Sequence, residues 1–241
     1  MTATVDLNSD LGESFGAWRL GDDVAILNIV TSANVACGFH AGDPLTIERT
    51  VTAAAERGVR VGAQVSYPDL VGFGRRRMDV PPDQLTADVL YQIAAVAGFC
   101  RAAGTRLSYV KPHGALYNRI VDDEEQARAV CQAITRYSDG LSLLTLPHST
   151  AAAIAESVGL TVVFEGFADR AYTSEGRLVP RTEPGAVIAD PVSVAAHAIE
   201  LATSGTVQSI CLHGDTPGAV SLAQATRQSL EQAGIAIEAF A

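Results

Sequence analysis

Side chains capable of acid–base chemistry cluster in one short segment directly after an apolar, β-rich run. The run spans Ile29–Ala36, and the segment Asn34–Asp43 reads Asn-Val-Ala-Cys-Gly-Phe-His-Ala-Gly-Asp. It places an amide, an imidazole and a carboxylate, those of Asn34, His40 and Asp43, on a loop that also carries glycine. Polar groups at the end of a buried strand are typical of a site built on a rigid scaffold. We therefore predict that this segment is the centre of an active site.

Similar side chains follow four other predicted strands. They are Asp6, Asn8, Asp10 and Glu13 in or after the first strand, Lys111 and His113 after the fourth, Glu165, Asp169 and Arg170 at the sixth, and His213 and Asp215 after a late strand. Histidines and carboxylates act as general acids and bases, and a lysine can hold an anion or a phosphoryl oxygen. Two histidines with a carboxylate also suit zinc or iron. The sequence alone leaves metal-dependent and metal-free chemistry both open.

Two other catalytic motifs are disfavoured. Gly12–Gly16 matches the GxSxG nucleophile elbow, but Ser14 follows the very first strand, whereas the elbow requires a central strand and an earlier oxyanion loop. No phosphate-binding P-loop pattern occurs, so any nucleotide must bind in another way. Cys37 lies near His40 but inside an apolar run, which does not favour a reactive thiolate.

Composition narrows the range of partners. The formal net charge of −10 disfavours nucleic acid, although Arg75–Arg77 follows Gly72-Phe-Gly74 and suits an anionic substrate group. No apolar run approaches the ~18 residues of a membrane span, and the amino terminus does not resemble a signal peptide. The four cysteines lack CxxC spacing, which indicates buried, reduced thiols. We expect a cytoplasmic protein without a membrane or nucleic-acid partner.

Hydrophobic periodicity and turn residues predict alternating strands and helices. The predicted strands are Thr4–Leu7, a run ending at Ala36, Val59–Val65, Leu107–Val110, Leu141–Leu146, Thr161–Glu165 and Gln208–Leu212, with a possible closing strand at Ile235–Ala239. The predicted helices are Asp22–Val30, Thr46–Arg57, Pro82–Ala103, Asp122–Tyr137, Ser149–Val158, Pro191–Thr203 and Pro217–Ala233. Gly166–Pro184 is a long loop, and Gly185–Ala189 is either a strand or a turn.

This alternation predicts an α/β fold with parallel strands and crossover helices. No linker divides the chain, so we expect one domain over residues 1–241, a closed or nearly closed (β/α) barrel of about seven parallel strands. The site would then lie at the carboxyl ends of the strands. A doubly wound open sheet is the alternative, but the acidic turn after the first strand lacks the expected GxGxxG spacing.

Five segments together resemble the LamB/YcsF family, and the resemblance covers nearly the whole chain. They are Asp6–Glu13, Asn34–Asp43, Val110–Asn118, Phe167–Tyr172 with Leu178–Arg181, and His213–Asp215. The resemblance implies an irregular barrel related to the glycoside hydrolase/deacetylase superfamily. It further implies hydrolysis of 5-oxoproline to L-glutamate with ATP as co-substrate, Mg²⁺ being expected with the ATP, and joint work with 5-oxoprolinase subunits B and C. The alternatives are a metal-dependent deacetylase or carbohydrate hydrolase and a non-catalytic substrate-binding subunit.

One position departs from the family pattern. Where the family usually has Gly-Ala-His-Pro before Ser-Tyr-Pro-Asp, this chain has Gly62-Ala-Gln-Val65. Gln64 thus replaces a histidine, which weakens the case for a bound metal and leaves its identity unknown.

The resemblance and the strand-end pattern together give a set of candidate residues. We predict catalytic roles for Asp10, His40, Asp43, Lys111, His113 and His213. We predict substrate-binding roles for Asn8, Glu13, Asn34, Asp69, Arg75, Asn118, Arg170 and Asp215. In this hypothesis Asp10 or Asp43 with His40 positions water, Lys111 and Arg170 hold negative charge, and His113 or His213 protonates the leaving nitrogen.

Overall fold

A computed structural model describes residues 3–215 and 218–240, and within them it contains eight strands and eight helices. The strands are β1 (Thr4–Leu11), β2 (Ser32–Ala36), β3 (Arg60–Val65), β4 (Leu107–Pro112), β5 (Ser142–Thr145), β6 (Thr161–Phe167), β7 (Ser209–Leu212) and β8 (Ala236–Ile237). The helices are α1 (Asp23–Leu27), α2 (Pro44–Glu56), α3 (Pro82–Ala102), α4 (Gly114–Arg119), α5 (Glu124–Tyr137), α6 (Thr150–Ser157), α7 (Pro191–Thr203) and α8 (Ala219–Gln232).

The first strand closes the sheet into a barrel. Strands β2 to β7 pair in chain order, and β1 pairs in parallel with both β7 and β2. The short β8 pairs with the beginning of β1, where Val5 lies opposite Ile237. The predicted barrel of about seven parallel strands is therefore confirmed, and the open sheet is excluded by the β1–β2 pairing.

The helices bury their apolar faces against the outside of the barrel. In α3 the side chains of Leu85, Val89, Ile93, Val96 and Cys100 recur every three or four residues, and all are buried. This spacing places them on one face of a helix. Burying an aliphatic side chain of this size stabilises the fold by about 1.5–3 kcal/mol, so this face is enough to fix α3 against the barrel.

The inside of the barrel, in contrast, is largely polar. Alternate residues of β1, namely Asp6, Asn8 and Asp10, bond to side chains of other strands, whereas Leu7 and Leu11 belong to the apolar core. The inward polar set is completed by Ser32, Asn34, Gln64, Lys111, Glu165 and Ser209, which are all buried. A buried polar group is costly unless it is hydrogen-bonded, so this interior must form a connected network.

Several element boundaries differ from the sequence prediction. Strand β1 continues to Leu11, because the residues expected to form a polar turn instead line the barrel. Helix α4 was not predicted, and the last predicted strand is reduced to Ala236–Ile237. Gly185–Ala189 forms only an isolated bridge through Val187. The expected helix start at Pro217 lies outside the described residues.

Two simpler expectations can be compared directly with the structure. All four cysteines are buried and free, as expected from their spacing. No described helix combines the length and apolar character that crossing a membrane would need.

Candidate active site

Lys111 lies at the centre of the polar barrel interior. Its Nζ is 2.8 Å from Glu165 Oε1, 3.0 Å from Asp10 Oδ1 and 3.0 Å from Cys211 Sγ. Only 2% of the residue is exposed, and it is the only lysine in the sequence. Burial alone would lower the pKa of Lys111, but Asp10, Cys211 and Glu165 together raise it well above its ordinary value. The ammonium is therefore charged, and its three N–H groups have three acceptors.

Two asparagines hold the carboxylates around this ammonium. Asn8 Nδ2 donates to Glu165 Oε1 at 3.0 Å, and Asn34 Nδ2 donates to Asp10 Oδ1 at 2.8 Å. The Asn34 carbonyl oxygen accepts from the Tyr109 hydroxyl at 2.7 Å. Because each amide bonds to two or more strands, the carboxylate positions are fixed by the barrel itself.

Asp10 and Glu13 lie close together, but their surroundings shift their pKa values in opposite directions. Burial would raise the pKa of Asp10, yet the Lys111 ammonium and the neighbouring His113 and His213 hold it well below its ordinary value. For Glu13, burial and the Asp10 charge raise the pKa well above its ordinary value. The surroundings thus favour the charged form of Asp10 and the neutral form of Glu13. Glu13 Oε1 is buried and without a hydrogen-bond partner among the described residues.

Gln64 bridges the two histidines that precede and follow it in the chain. Its Oε1 lies 3.1 Å from His40 Nε2, and its Nε2 lies 3.0 Å from His113 Nδ1. The imidazole rings are stacked with centroids 4.1 Å apart. His113 Nε2 is 3.1 Å from the Phe73 carbonyl oxygen, which can only accept a hydrogen bond.

The Phe73 carbonyl determines the tautomers of both histidines. His113 must carry its proton on Nε2, so its Nδ1 accepts from the Gln64 amide. The amide oxygen then faces His40, which must donate from its own Nε2. Burial lowers the pKa of both rings, with a further contribution from His113 at His40. Both imidazoles are therefore neutral and held in a single tautomer each.

The sequence left a bound divalent metal open, and three side chains come near the geometry that one would require. The ligand atoms of Glu13, His40 and His113 lie within 4.8 Å of one another. However, His40 Nε2 carries a proton, and its Nδ1 is buried without a partner. A ligating histidine normally donates its other N–H to an acceptor, which His40 lacks among the described residues. The arrangement therefore does not fit a metal site, and the Gln64 amide joins the rings instead.

His213 is the imidazole best placed for proton transfer. Its Nδ1 lies 2.8 Å from Asp169 Oδ2, and its backbone N–H donates to the same oxygen at 3.2 Å. Burial would raise the pKa of Asp169, but His213 lowers it below its ordinary value, so the carboxylate is ionised. The ring stacks on Phe167 with centroids 5.5 Å apart. The carboxylate holds Nδ1, and Nε2 makes no hydrogen bond to the residues that the structure describes.

These groups open into one cavity of about 560 Å³ at the carboxyl ends of the strands. Asp10, Lys111, His113 and His213 are among its lining residues. An apolar wall is formed by Tyr117, Val121, Leu146, Phe167 and Leu178, and arginines form the rim at Arg75, Arg170, Arg177 and Arg181. A cavity of this size with a few convergent polar groups is typical of a small-molecule site. The strand-end groups therefore do converge, as the barrel prediction requires.

The sequence pattern of the LamB/YcsF family matches residues 5–241. The chain belongs to the LamB/YcsF family. It is 58% identical to the 5-oxoprolinase A-subunit of Streptomyces avermitilis, covering 98% of this chain and 100% of that protein. It is 55% identical to the 5-oxoprolinase A-subunit of Mycobacterium leprae, covering 99% of each chain.

Solved structures agree with this assignment. The crystal structure of lactam utilization protein from Thermus thermophilus superposes with a TM-score of 0.93 at 44% identity, covering 98% of this chain and all of that one. A family 4 carbohydrate esterase from Streptomyces lividans gives a TM-score of 0.55 at 15% identity, over 99% of this chain and 93% of that one. The second likeness shows a shared deacetylase-like (β/α) barrel fold only.

In this LamB/YcsF chain, some predicted residues lie away from the cavity floor. Asp43 caps α2, and its carboxylate accepts from Leu45 N, Thr46 N and Gly16 N at 3.0, 3.2 and 2.9 Å. The Thr46 hydroxyl, which donates to Asp43 Oδ2 at 2.7 Å, and these backbone bonds lower the pKa of Asp43 to about 2 and engage both of its oxygens. The predicted pairing of Asp43 with His40 does not occur among the contacts. The Asp43-Pro44 pair is itself a helix-start signal.

The other predicted substrate-binding residues differ in their surroundings. Asp69 pairs with Arg76 and accepts from Gly72 N at 2.9 Å, so it braces the loop after β3. Arg75 pairs with Asp215 at 2.6 Å at the cavity rim. Asn118 donates to the Gly114 carbonyl at 3.0 Å and also lines the cavity.

Three residues for which no catalytic or binding role was predicted also belong to the site. Glu165 was noted at a predicted strand end, and it directly contacts Lys111. Asp169 precedes the predicted Arg170 and is the partner of His213. Gln64 stands out in sequence only as a missing histidine, and no sequence signal reveals that its amide bridges two rings. Position at strand ends identifies such groups, but only the structure gives their pairing.

Proposed function

We propose that this chain is the subunit of an ATP-dependent 5-oxoprolinase that opens the 5-oxoproline lactam to L-glutamate, together with 5-oxoprolinase subunits B and C. Relatives named as the 5-oxoprolinase A-subunit, at 55–58% identity over nearly the whole chain, support the proposal. The observation that carries it is the Asp169–His213 pair, which lies with the ionised Asp10 at one cavity. That arrangement suits activation of water for acyl chemistry.

Lactam hydrolysis requires activation because amide resonance makes the carbonyl carbon a poor electrophile. Transfer of the γ-phosphoryl group of ATP to the lactam oxygen would give an imidate phosphate and ADP. Water then adds to the activated carbon, the C–N bond breaks as the nitrogen takes a proton, and an acyl phosphate remains. A second water hydrolyses the acyl phosphate to glutamate and phosphate.

Each proton transfer can be assigned to a group at the cavity. His213 Nε2 takes the proton from attacking water and returns it to the leaving nitrogen, while Asp169 holds the ring and stabilises its charged form. Lys111 positions Asp10 and keeps it ionised, because all three of its N–H groups have acceptors. His113 is less suited to donate, since its proton is held by the Phe73 carbonyl.

The test is co-expression with candidate partner subunits, followed by an assay of glutamate released from 5-oxoproline and ATP. His213→Asn should lower turnover by about 10²–10⁴-fold, the usual contribution of general acid–base catalysis. The matched control is His148→Asn, because His148 is exposed and its φ of 56° is readily adopted by asparagine. Turnover of His213→Asn within threefold of the control would remove His213 from the mechanism. A wild-type complex that releases no glutamate would refute the function itself.

A further inference from the structure

Charged side chains are distributed unevenly between the floor and the rim of the active-site cavity. The floor holds Lys111 between the carboxylates of Asp10 and Glu165, so it carries no excess positive charge. The rim carries four arginines, at positions 75, 170, 177 and 181, in a chain whose formal net charge is −10. The contacts of each arginine show which of these guanidinium charges are balanced by a carboxylate.

Two of the rim arginines are neutralised by carboxylates. Arg75 Nη2 lies 2.6 Å from Asp215 Oδ2, and Arg177 Nη2 lies 2.6 Å from Asp122 Oδ1. Burial would raise the pKa of Asp215, but Arg75 and His213 hold it below its ordinary value. In these two ion pairs, each guanidinium charge is balanced by one carboxylate.

Arg170 is buried but has no carboxylate partner among the described residues. Its Nε donates to the Ala186 carbonyl at 3.1 Å, and its Nη2 donates to the Val179 carbonyl at 2.5 Å. These bonds attach the Arg170 side chain to the loop after β6. Its Nη1 makes no hydrogen bond to the described residues. Burial and the nearby Arg181 lower the pKa of Arg170, and the charge of Asp169 opposes them only in part.

Arg181 is the fourth rim arginine. Within residues 3–215 and 218–240 its side chain makes neither a hydrogen bond nor an ion pair, although it is only partly exposed and lines the cavity. The nearby Asp169 does not pair with it, since both Asp169 oxygens face His213. Across the described part of the chain, neither Arg170 nor Arg181 therefore makes an ion pair, although Arg181 contributes from a longer distance to the lowered pKa values of Asp169 and Asp215.

We propose that Arg181 and the Nη1 edge of Arg170 form a phosphoryl-binding subsite at the cavity rim. Guanidinium groups bind phosphoryl oxygens in a bidentate manner, and two guanidinium groups that make no ion pair with the described residues match a phosphoryl dianion better than a single carboxylate. The subsite deepens the proposed function, on which it rests for the identity of the phosphoryl donor. It receives either the phosphate of the activated lactam or the terminal phosphate of ATP.

The experiment measures binding of inorganic phosphate to the purified full-length chain by titration calorimetry and phosphorus NMR line broadening. Arg181→Gln should weaken phosphate binding at least tenfold. The matched control, Arg136→Gln, removes an exposed arginine in the last turn of α5, at the opposite end of the barrel, and should change the affinity less than twofold. Equal thermal unfolding midpoints would show that both variants are folded.

Competition distinguishes the two sources of the phosphoryl group. If Mg²⁺-ATP displaces phosphate from the wild-type chain and Arg181→Gln weakens ATP to the same extent, the subsite takes the nucleotide. If ATP does not compete, the subsite takes the phosphorylated substrate. Both outcomes support a phosphoryl subsite.

Three results would overturn it: no saturable phosphate binding, an affinity of Arg181→Gln equal to that of Arg136→Gln, or acetate binding as tightly as phosphate. Because this test involves no turnover, glutamate release by the assembled wild-type complex would still uphold the proposed function if the subsite failed.

Discussion

The Gln64 side-chain amide donates to His113 Nδ1 across 3.0 Å, while the opposite nitrogen of the same ring is held by a backbone carbonyl. The imidazole is thus held as the Nε2–H tautomer by hydrogen bonds to two neutral groups. Gln64 occupies the place where the family resemblance predicts a histidine. As a neutral amide, Gln64 offers a donor to one ring and an acceptor to the other at the same time.

Gln64→Glu should change the protonation of His113. A carboxylate accepts from both rings, and the Phe73 carbonyl still requires a proton on Nε2, so His113 should carry both protons and its pKa should rise. Nitrogen-15 NMR of histidine-labelled protein would report the change directly. Gln132→Glu, on the exposed side of α5, is the control. If the His113 spectrum of Gln64→Glu matched that of the control at neutral pH, the bridging role would be wrong.

Lys111→Met should strongly destabilise the fold. Removal of the ammonium leaves the Asp10 and Glu165 carboxylates buried without a cation, which costs about 3–5 kcal/mol in unfolding free energy. Urea denaturation gives the value. Arg128→Met breaks the exposed pair with Glu124 and should cost at most about 1 kcal/mol. Adding Glu165→Gln to Lys111→Met should restore part of the loss, and a further loss in the double variant would contradict the pairing.

Gly74→Ala should damage the active site more than the fold. A Cβ at Gly74 would lie 2.9 Å from His40 Cβ and 3.0 Å from His113 Cδ2, pressing on both rings. Gly58 has the same φ of +67° but open space around it, so Gly58→Ala carries only the left-handed backbone cost of about 1–2 kcal/mol. We expect at least a tenfold lower glutamate release for Gly74→Ala than for Gly58→Ala. Equal turnover in the two variants would mean that the stacked rings are not needed.

The Asp6 carboxyl group should make the fold less stable as pH rises. Burial raises its pKa from 3.8 to about 6, so the folded chain holds the proton more tightly than the unfolded chain. Its stabilising contribution is complete below pH 3.8 and is lost as pH rises through 6, a total of about 3 kcal/mol. His40 and His113 act oppositely, since their lowered pKa values remove stability as pH falls below about 6.5.

Asp6→Asn isolates that contribution. The quantity to compare is the unfolding free energy at pH 8 minus that at pH 4.5. It should be about 2 kcal/mol more positive in Asp6→Asn than in the wild type, because the variant lacks the carboxyl group whose raised pKa makes the fold less stable at high pH. The exposed Asp139→Asn is the control and should leave the difference within about 0.5 kcal/mol. Urea titrations at both pH values provide the measurement, and an unchanged difference would show that Asp6 is not protonated in the fold.

Much of the barrel could be predicted from the sequence, because its strands are short apolar runs bounded by turn residues. The end of β1 could not be. Asn8 and Asp10 look like turn residues by type, yet they form strand because the barrel interior is polar and neighbouring strands supply their partners. Residue type gives the local preference, and tertiary contacts can override it.

The convergence of strand-end groups was also predictable, but their pairing was not. Asp43 was expected to work with His40, whereas it caps a helix, and the Pro44 that follows it is the sequence signal for that role. Arg170 was expected to hold a substrate anion, and most of its hydrogen bonds instead go to loop carbonyls. Such distinctions depend on distances of a few ångströms between residues far apart in sequence.

The pairing of β1 with β7 also has a consequence for biosynthesis. Ser9 and Leu212, which are hydrogen-bonded across this seam, are 203 residues apart in the chain. At a translation rate of about 5–20 residues per second, the polar first strand must wait roughly 10–40 s for its last neighbour. During that interval Asn8 lacks its partners Glu165 and Ser209 from the late strands. The catalytic pocket is therefore among the last parts of the molecule to form, and no nascent fragment lacking β7 can contain it.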